Sequence, residues 1–397
     1  MSRIPDYVGV CAFAIKMGVV LPGSNIVDMI CESLNKCVHD ELLSDGDTVC
    51  ITESVVARAQ NNYISTADIA EEIREKMQVG EDARLGVVFP ILSRNRFSLI
   101  LKGIAMAVPK GEVIVQLTYP VDEVGNQILS VEAAECLGEA NGGLILPAHL
   151  GEQRFRHPVT GVDYIQLYHD IIEECGAKPT IYLCNDPLRI VQLAPDSVIV
   201  ANVHDRHRVS RKLKEHIENC LTLQDFCNRR NDSWSEWGLL GSNMSSPDRL
   251  KLAPREAGQV AAVIQERVRA VLGKYVEVIV YGDGAYRDPS TGIYELADPQ
   301  PVFGMTSGFK GKYRVGLKYK YLVDSLHENG HNQEEIEAIL DEKMKEEYGR
   351  DSLETEGTTP RKVEDILASL ADLVSGSSDA GTPLIIVKGF LDSACDI

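Results

Sequence analysis

Four carboxylates fall within 16 residues near the middle of the second half of the chain: Asp283, Asp288, Glu295 and Asp298. The first of them leaves an apolar, β-branched run, Val278-Ile-Val-Tyr-Gly-Asp283-Gly-Ala-Tyr-Arg287-Asp288-Pro. Hard divalent cations need several oxygen ligands, and Mg2+ is commonly held by one or two carboxylates plus substrate phosphates. Glycines on both sides of Asp283 would let backbone approach a ligand, and Arg287 could pair with phosphate through its fork. The competing reading is a solvated hairpin, because Gly-Asp-Gly and Asp-Pro are turn chemistry in their own right.

A second polar loop, Gly238-Leu-Leu-Gly241-Ser242-Asn243, emerges from an apolar stretch. Backbone amides in such a loop can cradle phosphate, although a plain turn has the same composition. Two basic loops follow probable strands: Ser93-Arg94-Asn-Arg96, and His204-Asp-Arg206-His207 with Arg208 and Arg211 behind it. The His pair has metal-like spacing, but no third ligand is apparent. Arginines clustered in so acidic a chain suit a carboxylate or phosphate, so Arg94, Arg96, Arg206 and Arg208 are expected to bind an anionic acceptor. A solvated helix start is the alternative for the His204 segment. No G-x-S-x-G, H-E-x-x-H, G-x-G-x-x-G or G-x-x-x-x-G-K-[ST] pattern occurs, which argues against covalent hydrolases, zincins, Rossmann oxidoreductases and P-loop enzymes.

These loops must be carried by elements, and the apolar patterning supplies them. Short β-branched runs predict strands at 48–52, 85–91, 113–118, 144–147, 180–184, 198–203, 276–281 and 384–387. Helical spacing predicts helices at 26–34, with Asn25 as cap, and at 68–77, 255–272, 333–348 and 361–374. The last is expected to open on the Thr359-Pro360 pair. The class is α/β (α+β): two interleaved lobes of mixed sheet with flanking helices, plus a C-terminal helical segment. Gly-rich or polar breaks at 139–143, 229–236, 304–311 and 350–358 place a core over 1–310 with a long middle insertion. A C-terminal helical part over 311–397 is expected to pack on that core.

With 40 Lys+Arg against 59 Asp+Glu, the chain carries a formal charge of −19, which argues against nucleic acid and anionic membrane as partners. No 18-residue apolar run is present, and residues 1–7 lack the apolar segment of a secretory signal, so a cytoplasmic protein is expected. The ten cysteines form no C-x-x-C pair and read as buried free thiols.

The N-terminal region is similar to the coenzyme F-420 gamma-glutamyl ligase family. The stretch from Ala14 to Ile26 resembles its opening strand and "GDDL" helix start. Asp45-Gly-Asp-Thr-Val-Cys-Ile-Thr-Glu-Ser-Val-Val-Ala-Arg58-Ala-Gln60 resembles its "DGDVVVVTxKVVSKAEG", with Arg58 in place of Lys and Gln60 in place of Glu. Gly238, Ser242 and Asn243 match "GVDxSN", and Asp283 with Arg287 matches "SDTFGR" after one inserted residue. The Asp of the "GVDxSN" motif falls at Leu240, so a metal ligand would come from elsewhere, with Glu236 and Asp248 as candidates.

The resemblance implies a homodimer that adds L-glutamate to a carboxylate acceptor through an amide bond. It also implies GTP (or ATP) and magnesium or manganese. A carboxylate accepts an amine only after its oxygen becomes a leaving group, so an acyl phosphate would form first and no covalent nucleophile is needed. On that basis Asp283 and Arg287 would be catalytic. Arg58, Gly238, Ser242 and Asn243 would bind nucleotide, and Asp283, Asp288, Glu295 and Asp298 would hold metal. A non-catalytic homologue that lost a ligand at Leu240, or a metal-dependent phosphatase, are the alternatives.

Overall fold

Runs whose central residues are all apolar, such as Thr48–Thr52 and Leu384–Lys388, are buried throughout, the pattern of strands covered on both faces. The computed structural model describes residues 7–151, 156–157, 160–229, 232–284, 286–287, 294–295, 297–314, 316–343, 353, 355, 361–375, 381–391 and 395–396. Its first part runs β1 (Cys11–Ile15), α1 (Ile26–His39), β2 (Thr48–Thr52), α2 (Glu53–Ala59), β3 (Tyr63–Ser65) and α3 (Thr66–Met77). Then come β4 (Arg84–Val88), α4 (Phe97–Ala107), β5 (Glu112–Leu117), α5 (Val131–Ala140), α6 (Tyr164–Glu174), β6 (Lys178–Leu183), β7 (Ser197–Val200), α7 (Arg206–Lys214) and β8 (Cys220–Thr222). The chain returns through β9 (Asn243–Ser246), β10 (Arg249–Lys251), α8 (Ala257–Leu272), β11 (Glu277–Tyr281), β12 (Tyr286–Arg287), β13 (Tyr294–Glu295), β14 (Val302–Met305) and β15 (Lys312–Arg314). It closes with α9 (Tyr319–Glu328), α10 (Gln333–Lys343), β16 (Arg361–Lys362), α11 (Val363–Ser375), β17 (Leu384–Lys388) and β18 (Cys395–Asp396).

Two five-stranded sheets organise the molecule. The first has order β1-β17-β2-β11-β14 and is mixed, with β2 and β11 parallel. One face is covered by α1 and α8, whose Ile30, Leu34, Ile264 and Val268 meet Val49, Ile51, Val278 and Val280. The other face is covered by α11, through Val363, Leu367 and Ala371 against Ile279, Ile385 and Val387. The second sheet is wholly parallel, with order β6-β5-β4-β7-β8. Helices α3, α4 and α6 pack on one side of it, and α7 with the turn Pro187–Leu193 on the other. This parallel sheet is built from the middle of the chain, between β3 and β9, and the small sheet β3-β10-β9 lies where the chain leaves and re-enters the first lobe.

Most predicted elements form, with boundaries moved by a few residues. The 144–147 strand does not: Ile145 makes one isolated bridge to Leu183, and Pro147 opens the short helical turn Pro147–Leu150. Proline lacks the N–H a ladder needs and suits a first helical turn instead. The 361–374 helix begins at Val363, because Arg361 and Lys362 pair with β15 as a strand; the Thr359-Pro360 cap lies outside the described residues. Helix α4 carried no predicted element. Its sequence, FSLILKGIAMA, is apolar almost all round because it is buried, which erases the one-sided stripe that marks a surface helix. Gly103 lets it touch α3: a Cβ there would stand 2.6 Å from Ile69 Cγ2.

Nine described cysteines are free thiols, six of them buried. Among the described residues no helix is long and apolar enough to cross a membrane.

Candidate active site

Parallel strands β2 and β11 run side by side, with Thr52 opposite Tyr281 at their carboxyl ends. Ligands in α/β sheets collect at such ends, where the following loops diverge. A cavity of about 560 Å³ opens there. Its walls come from five places: Thr52, Glu53, Ser54 and Arg58 around α2; Tyr63 on β3; Asn95 after β4; Asn243 to Ser245 and Lys251 on β9 and β10; and Tyr281 to Asp283 after β11. Asp372 and Ser375 on α11 close it.

Local chemistry explains each placement. Thr52 ends β2 and caps α2, its hydroxyl accepting from Ser54 N at 3.4 Å. That puts Glu53 at the first helical position, where the helix dipole favours a carboxylate. Glu53 is nonetheless buried, and Lys251 Nζ donates to both its oxygens at 3.0 and 2.9 Å. Across the cavity, Asp372 accepts from Gly284 N at 2.9 Å, fixing the peptide that follows Asp283. Asp283 is open to solvent at the cavity but surrounded by protein on most sides. Desolvation first, and then the charges of Glu53, Asp298 and Asp372, push its carboxyl up to about 6, with Arg96 working in the other direction.

A carboxyl group whose pKa is raised by burial and by carboxylates around it marks a place where a cation would relieve repulsion. Glu53, Asp283 and Asp372 offer hard oxygen donors on one cavity, the donor type that magnesium and manganese take. Magnesium in phosphate-transfer sites is held by one or two carboxylates plus the substrate's phosphates, so these donors suit in kind the divalent metal that the resemblance implies, without their oxygens forming a closed protein ligand set. Exposed Arg58 and buried Lys251 add positive charge for an anionic ligand. Among the described residues, the one set of three such side chains whose ligand atoms lie within 4.8 Å of one another is His169, Asp170 and Glu173 on α6, which shares no residue with this cavity.

The sequence-derived residues divide. Asp283, Arg58 and Asn243 line the cavity together. Ser242 lies behind it, fully buried, its hydroxyl donating to Leu239 O at 2.7 Å. Gly238 is a turn residue at φ +57°, and a Cβ there would stand 2.4 Å from Phe226 O. Asp298 is buried against Arg96, whose Nε also donates to Ser242 O at 2.6 Å. Asp288 and the side chains of Arg287 and Glu295 lie outside the described residues. The glycines flanking Asp283 serve packing: a Cβ on Gly282 would meet Phe303 at 2.5 Å, and one on Gly284 would meet Ser369 at 3.2 Å.

Of the four basic-loop residues, Arg94 is exposed and Arg96 is the buried partner of Asp298. Arg206 donates to Gln224 Oε1 and Val203 O and lies over the Trp237 ring, while Arg208 pairs with Asp205. None of the four lines the cavity. Arg96→Met should leave Asp298 buried without its cation and cost about 3–5 kcal/mol of stability, read by urea unfolding. An unchanged midpoint would remove Arg96 from the frame of the site.

Leu240 is buried in the core around the parallel sheet, so no carboxylate stands where the family motif has Asp. Glu236 accepts from Glu256 N and Asp248 pairs with Lys102; neither lines the cavity. Glu53 and Asp372 do, and sequence reasoning missed both. Glu53 had a signal, since it directly follows a strand ending in a capping Thr. Asp372 sits beside the apolar stripe of α11 and had none.

With this geometry in place, the comparison with family models is decisive: the F420-0:gamma-glutamyl ligase model matches residues 14–389, nearly the whole chain. The chain belongs to that ligase family. The match spans the parallel sheet and reaches past β17. A search of curated proteins gave no match. The family forms carbon–nitrogen bonds to glutamate and acts on small molecules, which suits a cavity of this size closed by side chains from both ends of the chain.

Proposed function

We propose that the protein joins L-glutamate to a carboxylate-bearing small-molecule acceptor, using a nucleoside triphosphate, GTP in the first instance, and magnesium or manganese. The observation that carries this reading is the meeting of Glu53, Asp283 and Asp372 with Arg58 and Lys251 around one cavity at the carboxyl ends of β2 and β11. Acceptor activation needs charge neutralisation on a transferring phosphoryl group, and such a constellation supplies it without a covalent nucleophile. An acceptor oxygen attacks the γ-phosphorus and the nucleoside diphosphate leaves. The amino nitrogen of glutamate then attacks the acyl carbon, inorganic phosphate departs, and the nitrogen loses a proton.

The bound metal would neutralise phosphate charge and orient the chain of phosphates. In this reading exposed Arg58 and Asn243 on β9, both on the cavity wall, contact the nucleotide. Exposed Arg94, in the loop that also carries Asn95 to the cavity, is the basic-loop residue available to an acceptor anion. The reading includes a homodimer, as the family resemblance implies.

The test incubates the protein with GTP or ATP, Mg2+, L-glutamate and a panel of carboxylate acceptors, and weighs products by mass spectrometry. A gain of one glutamyl unit that requires all components is the expected result. Phosphate release without glutamate would make the protein a hydrolase, and no turnover with bound nucleotide would make it a binding homologue.

A further inference from the structure

Lys251 and Glu53 form a buried ion pair on the wall of a cavity that the proposed reaction fills with metal and phosphate, and each partner is of the charge that one of those ligands competes for. Side chains on the two sides are only 9% and 10% exposed. Both Glu53 oxygens are taken by the one ammonium, at 3.0 and 2.9 Å. An ammonium carries three donors, so the two bonds to Glu53 leave one over. A divalent cation reaching Glu53, through one oxygen or both, meets an oxygen already bonded to the ammonium. Two cations crowded on one carboxylate that is only 10% exposed repel each other strongly.

We propose that Lys251 is an exchangeable counter-ion: it holds Glu53 while the site is free of metal and passes to the phosphate chain when a divalent cation takes Glu53. This rests on the reading of the cavity as a metal and nucleoside triphosphate site. A buried carboxylate left alone is strongly destabilising, which accounts for a cation being kept there in the metal-free protein. Lysine suits an exchange because its ammonium rides on a flexible four-carbon stem and binds phosphate as a point charge. The contrast lies next door. Arg96 is fixed from two directions, by Ser242 O and Asp298, and does not line the cavity, so it has no second position to serve. Lys251 instead stands on β10, opposite Asn243 of β9 and Tyr63 of β3 in the ladders, with all three on the cavity wall.

The test uses Mn2+ alone, followed by electron paramagnetic resonance, and inorganic tripolyphosphate, followed by calorimetry, on the full chain. Lys251→Met should bind Mn2+ more tightly, on the order of tenfold, because the competing charge is gone. The same variant should bind tripolyphosphate in saturating Mn2+ roughly 10- to 100-fold more weakly, having lost a charge-assisted contact. Glu53→Gln keeps the side-chain shape and carries the test if Lys251→Met fails to fold. It should bind Mn2+ more weakly and tripolyphosphate without metal more tightly, since Lys251 is then released. Opposite signs for metal and phosphate are the mark of exchange. Wild-type protein that binds Mn2+ with both affinities unchanged by the substitutions would overturn the exchange alone and leave a static pair. Wild-type protein that binds no Mn2+ would overturn the metal reading of the cavity and the exchange with it.

Discussion

Asp283→Asn should cut glutamate-dependent product formation by roughly 10²- to 10³-fold while making the metal-free protein more stable above pH 6. Both halves follow from one environment. Desolvation and three neighbouring carboxylates raise the Asp283 carboxyl from 3.8 to about 6 in the folded chain. The folded state then holds the proton more tightly than the unfolded state does. Stability from this group is therefore complete below about pH 3.8 and is lost as pH rises through 6. Asparagine cannot ionise, so the loss disappears and the melting temperature of the metal-free variant should exceed that of the parent at pH 8. The parent should bind Mn2+ about tenfold more weakly for each pH unit below 6, because the cation must displace that proton. In the variant this slope should flatten. Titration by electron paramagnetic resonance from pH 5 to 8 reads the slope, and scanning calorimetry reads the stability. A variant with wild-type turnover, or one less stable without metal at pH 8, would take Asp283 out of the metal site.

Ending the chain at residue 380 should abolish folding, the second large effect. Strand β17 lies between β1 and β2, so its removal strips ladder partners from both neighbours in the middle of a sheet. It also removes Leu384, Ile385, Ile386 and Val387, all buried, from the two cores on either face. At about 1.5–3 kcal/mol for each side chain, the burial alone amounts to roughly 6–12 kcal/mol. That is comparable to the whole stability of an ordinary domain, about 5–15 kcal/mol. The milder Ile386→Ala should cost about 2–5 kcal/mol and remain measurable in denaturant. A soluble truncated chain with a cooperative melt would show that the first sheet closes without β17.

Helices with one wet face were legible in the residues. Asn25 caps α1 as its position suggests, accepting from Asp28 N, and α8 and α10 start near their expected residues because their apolar stripes recur at helical spacing. Strands of continuous apolar, β-branched residues were legible too, and β2 coincides with its predicted range. What failed had a physical reason each time. Helix α4 is buried all round and shows no stripe. Residues 144–147 look like a strand by composition but contain a proline that the ladder cannot use. The basic loops read as one kind of object, yet three of their four arginines are spent on Asp298, Asp205, and Gln224 with Val203.

The sequence by itself determined the α/β class, the ligase family resemblance and the place of Asp283 after a strand. Those depend on local patterns: hydrophobic period, turn residues and short motifs along the chain. Only the tertiary structure brought Glu53, Lys251, Asp283 and Asp372 to one cavity. Lys251 lies 198 residues from Glu53, and Asp372 lies 88 residues from Gly284. Nothing in the immediate neighbours of either charge marks it. Their roles come from burial and mutual approach: in water each would be an ordinary solvated ion, but gathered on one cavity, with Glu53 and Lys251 buried, every charge sets the cost of the others.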